Sequence, residues 1–87
     1  MEKYKIEFKK SAVKELKSIP DKDIKKIITK INSLKENPRP DGCIKLTGKE
    51  QYRVRQGNYR ILYSIEEDKL IIFVVKIGHR KDIYREL

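Results

Sequence analysis

Gln51-Tyr52-Arg53-Val54-Arg55-Gln56-Gly57-Asn58-Tyr59-Arg60-Ile61-Leu62-Tyr63-Ser64-Ile65-Glu66 is the stretch on which the fold of this chain turns. On both sides of Gly57-Asn58, residues that suit a core alternate with residues that suit solvent, the period of strands buried on one face. Gly-Asn is one of the dipeptides favoured in two-residue hairpin turns. Pairing outwards from that turn sets Gln56 against Tyr59, Arg55 against Arg60 and Arg53 against Leu62. One hairpin face then carries Tyr52, Val54, Tyr59, Ile61, Tyr63 and Ile65, all suited to packing beneath helices. The other face carries Arg53, Arg55 and Arg60. Like charges directly opposite one another destabilise a sheet, so three arginines converging on one open face make sense if something anionic sits there. A guanidinium offers phosphate a planar fork of donors, which makes the cluster a candidate phosphate site. The competing reading is a solvated basic face, since surface arginines are common.

The rest of the chain arranges itself around this hairpin. Glu66-Glu67-Asp68 makes the next turn, and Leu70 to Ile77 is a nearly continuous apolar run. Such a run predicts a strand buried on both faces near the sheet centre, ended or bulged by Gly78. Residues 81–87 allow a turn or two of terminal helix. On the other side, residues 44–47 suit a short strand, and Asn37-Pro38-Arg39-Pro40-Asp41-Gly42 is a loop. Ile24, Ile27, Ile28, Ile31 and Leu34 form a single apolar stripe at helical spacing. Asp21 would cap this helix, with Asp23 in its first turn, and its other faces are mostly lysine. A shorter helix, capped by Ser11 and stopped by Pro20, offers Ala12, Val13 and Leu16 to a core. Tyr4, Ile6 and Phe8 alternate with Lys5 and Glu7 as a first strand. The expectation is an α+β domain over residues 1–87: a small antiparallel-rich β-sheet with an N-terminal helical hairpin packed on one face.

Composition narrows the partners. Of 87 residues, 38% are hydrophobic and 40% charged, and the regular spacing of the apolar ones marks a globular chain. Lysine and arginine number 22 against 13 acidic residues, a formal charge of +9 that would draw polyanions. Nucleic acid or an acidic protein fits that field better than a neutral metabolite does. Cys43 is alone, so no internal disulfide forms, and one cysteine with one histidine makes no zinc cage. No metal or other cofactor is expected. The amino terminus lacks a signal-peptide run, and no stretch approaches the roughly 20 apolar residues that span a bilayer. The expectation is a soluble, cytoplasmic protein with no membrane partner.

The tail, Gly78-His79-Arg80-Lys81-Asp82-Ile83-Tyr84-Arg85, adds a second basic group at a sheet end. His79 and Tyr84, taken alone, read as structural residues. Beside arginines, an aromatic ring can also stack on an unpaired RNA base.

Tyr52 to Tyr63 resembles the hairpin of the RelE/ParE toxin superfamily, and Val75 to Tyr84 resembles its carboxy-terminal signature in the RelE branch. The resemblance covers essentially the whole chain, and its arginine-rich form is similar to archaeal RelE toxins. It implies the toxin of a type II toxin–antitoxin system, a ribosome-dependent endoribonuclease that cuts mRNA and halts translation. Its partners would be the ribosome, mRNA and a RelB-like antitoxin, through which the complex would bind operator DNA. It implies metal-free attack of the RNA 2′-hydroxyl on the scissile phosphate. Arg60 would hold that phosphate, Arg80 would protonate or stabilise the leaving oxygen, and Tyr84 would stack on the nucleotide. Arg53 and Arg55 complete the catalytic set, while Lys45, Lys49, His79 and Lys81 would contact RNA. At Arg53 and Arg55 bacterial RelE toxins carry lysines, one of them a proposed general base. A guanidinium essentially never deprotonates, so the base is either His79 or no side chain at all. The rivals are a gyrase-directed toxin of the ParE branch and a binding module that catalyses nothing.

Overall fold

The computed structural model describes residues 4–46, 48 and 50–79. In chain order the elements are β1 (Lys5–Phe8), α1 (Lys10–Lys17), α2 (Asp21–Ser33), β2 (Ile44–Lys45), β3 (Gln51–Gln56), β4 (Tyr59–Glu66) and β5 (Ile71–His79). The strands form one sheet in the order β1-β5-β4-β3-β2. β1 runs parallel to β5, and the other three pairs are antiparallel.

The hairpin has the register that its sequence dictates: Gln56 faces Tyr59, Arg55 faces Arg60 and Arg53 faces Leu62. Its turn places a φ of +61° on Gly57 while Asn58 keeps a negative angle, the type II′ geometry that requires glycine first. With the register fixed, Val54, Ile61 and Tyr63 fall into the core, with Tyr52, Tyr59 and Ile65 packed against it.

β5 departs from expectation in two ways. It continues through Gly78, and its irregularity lies earlier: Leu62 faces Lys76 while Tyr63 faces Val74, so Val75 is the extra residue of a bulge. The cause is parity. In an unbroken strand Val74 and Lys76 would share a face and Ile77 would point away from it. The bulge lets Val74 and Ile77 both enter the core and turns Lys76 out. Only one face of β5 is fully buried, at Ile72, Val74 and Ile77, whereas Ile71, Phe73 and Val75 are half-buried. The central strand is β4, not β5.

Helices α1 and α2 cover that face. Ala12, Ile19, Ile27, Ile31 and Leu34 pack against the buried residues of β3, β4 and β5. Neither predicted cap forms. Lys9, whose N–H donates to the Val74 carbonyl at 2.9 Å, ends the β1 pairing in an extended conformation and starts α1 itself, so Ser11 lies inside the helix. Pro20 occupies the cap of α2, accepting from the N–H groups of Asp23 and Ile24, and Asp21 becomes a first-turn residue. Both aspartates still favour the positive end of the helix dipole. Beyond Val74, where β1 stops, α1 guards the edge of β5. Glu15 accepts from the Ile77 backbone N–H at 3.1 Å and from Lys76 Nζ at 2.9 Å. Among the described residues no helix is long and apolar enough to cross a membrane. The expected terminal helix lies outside the described residues.

Candidate nucleic-acid interface

β2 is only two residues long and pairs with Tyr52 and Arg53 alone. Among the described residues no strand pairs with the outer edge of β3 from Val54 onwards, and a cleft of about 390 Å³ lies there. Arg53 and Arg55 enter it from β3, Arg60 from β4, Lys30 from α2, and Asp41 and Gly42 from the following loop. The three arginines named from the hairpin register thus line one cavity.

Their exposure is graded. Arg55 is exposed and Arg53 half-buried, but Arg60 keeps only 7% of its surface. This corrects the picture of an open arginine face. Arg60 stands between Arg55 on one neighbouring strand and Gly78 on the other. A buried cation opposite a second cation carries a desolvation cost that an anionic ligand would offset. Such a recess can wrap a phosphate with forked donors better than a flat surface can.

His79 is not brought to this cleft. The bulge at Val75 sets it opposite Tyr59 on the helix-bearing face, where the two rings meet edge to face with centroids 5.9 Å apart. The Tyr59 hydroxyl donates to Asp23 Oδ2 at 3.5 Å. Burial, then the Asp23 carboxylate, holds that phenol above its ordinary pKa. Lys45 also lies apart. It pairs with Tyr52, placing it on the helix side, and its Nζ is 3.8 Å from Glu50. Its neighbour Ile44 lines the arginine cleft instead. Lys49, Arg80, Lys81 and Tyr84 lie outside the described residues.

The structure adds residues that the sequence did not single out. The loop supplying Asp41 and Gly42 is clamped from below by Tyr63, whose hydroxyl donates to the Pro38 carbonyl at 2.6 Å and lies 3.3 Å from Cys43 Sγ. Burial first, then Cys43, keeps the Tyr63 phenol protonated far beyond its usual range. Arg39 closes the other side: it pairs with Glu67 and sits 5.1 Å above the Tyr52 ring. Lys30 had a visible signal, the lysine face of its helix. The clamp had none, because its partners meet only in the folded sheet.

Residues 6–84 match the family model described as the ParE toxin of a type II toxin–antitoxin system. RelE1 of Methanocaldococcus jannaschii is 36% identical over 95% of this chain and 97% of its own. The mRNA interferase toxin RelE of Escherichia coli K12 is 26% identical over 95% of this chain and 92% of its own. The fold superposes on the toxin of the archaeal RelE–RelB complex from Pyrococcus horikoshii with a TM-score of 0.80, at 30% identity over 90% of this chain and 96% of that one. With the hairpin arginines gathered in one cleft and the whole fold shared, the chain belongs to the RelE branch of the RelE/ParE superfamily of type II toxin–antitoxin toxins.

Proposed function

We propose that this protein is an endoribonuclease that cuts mRNA on the ribosome and that a RelB-like antitoxin holds it inactive. The observation carrying this reading is the recessed cleft in which Arg53, Arg55 and Arg60 meet. The naming of the Escherichia coli relative as an mRNA interferase and the complex formed by the Pyrococcus protein support it. The site of action is the cytoplasm, and operator DNA is met through the antitoxin.

The reaction requires no metal. The 2′-oxygen attacks the adjacent phosphorus, the bond from phosphorus to the 5′-oxygen breaks, and a 2′,3′-cyclic phosphate and a 5′-hydroxyl result. Arg60 holds the scissile phosphate, while Arg53 and Arg55 neutralise the charge that grows on its equatorial oxygens, a preorganised electrostatic effect. By family resemblance Arg80 serves the leaving oxygen and Tyr84 orients the nucleotide, with Lys49 and Lys81 adding RNA contacts. His79 and Lys45, on the far face, are assigned no contact with the scissile phosphate. The 2′-hydroxyl proton leaves to water or to ribosomal RNA, since the three arginines of the cleft stay protonated and cannot take it. Alignment of the 2′-oxygen with the leaving oxygen is left to the ribosome.

Primer extension on mRNA from translating ribosomes tests the proposal. Discrete cuts that require both the protein and the ribosome are expected. DNA damage without mRNA cuts would favour the gyrase-directed reading, and binding with neither would favour a non-catalytic module.

A further inference from the structure

The lysine face of α2 has no part in the chemistry above. Lys22, Lys26 and Lys30 recur every four residues, which stacks them along one side of the helix at steps of about 6 Å. Like charges at that spacing weaken a helix. Among the described residues no carboxylate forms an ion pair with any of the three, or with Lys25 beside them.

The position of the stripe gives it a use. Lys30 already lines the arginine cleft. One turn back, Lys25, Lys26 and Thr29 face Gln56 across a hollow of about 270 Å³. Lys26 and Gln56 continue into a third hollow of about 300 Å³, which reaches Gly57 and Asn58 at the hairpin turn. The hollows run alongside β3 from Arg55 through Gln56 to the turn. Carboxylates stand near the two ends, Asp41 in the first hollow and Asp23 in the third.

We infer that this line is a track for the phosphodiester backbone of an RNA strand, with α2 lysines taking phosphates outside the scissile one. The inference rests on the arginine cleft being the seat of the scissile phosphate, and its test keeps the two apart. Binding of the full chain to 2′-O-methyl RNA, which lacks the attacking hydroxyl, is measured against salt for a dinucleotide and for a strand of about a dozen nucleotides, within the range one small domain covers. The variant Lys25→Gln/Lys26→Gln, at the two lysines of the middle hollow, keeps good helix formers and should leave dinucleotide affinity unchanged. Its logarithmic salt slope for the long strand should be shallower by about 0.7 for each lost phosphate contact, about 1.4 in all. A second arm measures affinity for ribosomes with an empty decoding site. A loss seen with the isolated strand assigns the track to mRNA, and a loss seen only with ribosomes assigns it to ribosomal RNA. Wild-type behaviour in both arms would overturn the track. Arg55→Ala should weaken the dinucleotide, and an unchanged affinity there would overturn the cleft reading instead.

Discussion

Arg60 is the residue whose surroundings carry most of the functional argument. With its surface 7% exposed and Arg55 directly across the ladder, it is held by the fold in an electrostatically costly place. Arg60→Ala should keep the circular-dichroism signature of the sheet and lower single-turnover cleavage on programmed ribosomes by roughly a hundredfold or more, the scale of losing one preorganised charge-stabilising donor. A variant cutting as fast as wild type would remove Arg60 from the site. His79→Gln should cut within a fewfold of wild type across pH 5.5 to 8.5, roughly the range in which histidine titrates, because the ring lies on the other side of the sheet. A hundredfold loss, about the least that acid–base catalysis supplies, would reinstate it as the base. Tyr63→Phe removes the hydroxyl that holds the Pro38 carbonyl and should cost about 1–3 kcal/mol in denaturant unfolding. Because burial raises the Tyr63 pKa above the ordinary value near 10, its contribution is complete below that pH and is lost as pH rises further. The alkaline fall in stability should therefore be shallower in Tyr63→Phe; equal falls would deny the phenol this role. The arginine register could be read from the sequence because a two-residue turn fixes it. The burial of Arg60 could not, since the residues around it come together only in the folded sheet.

Among the elements, β5 shows where one-dimensional patterns fail. Its apolar run gave its existence, but the division between faces depends on the bulge at Val75. The parity clash of Val74, Lys76 and Ile77 was present in the sequence, and Gly78 drew attention away from it. The helices were legible from the apolar residues of α1 and the isoleucine stripe of α2, whereas their first residues were decided by the backbone at Lys9, tied to Val74, and at Pro20. Glu15 links α1 to the exposed edge of β5, and both it and Lys76 are mostly shielded from solvent. Glu15→Ala should cost about 1.5–3 kcal/mol, the usual worth of hydrogen bonds to a charged group. Hydrogen exchange at the Ile77 amide should quicken at the same time. An amide equally protected in the variant would mean that α1 shields this edge without Glu15.

For the molecule as a whole, the charge excess indicated a polyanionic partner but not its place. On the function proposed, that place is the cleft beside β3, where β2 stops early and α2 brings its lysines. The same sheet has a consequence for synthesis. β1, the earliest of the described strands to be made, pairs with β5, the latest of them, and β5 also closes the far side of β4. No order of growth from the amino end can complete this sheet until residues 71–79 have been added. A chain truncated after Leu70 should show no cooperative unfolding transition, and a sharp one would contradict this. Pairing across such a sequence separation is also slow to form. On the function proposed, the delay has a beneficiary: the ribosome making the toxin has already read the codons for residues 71–79 before the arginine recess exists to threaten it.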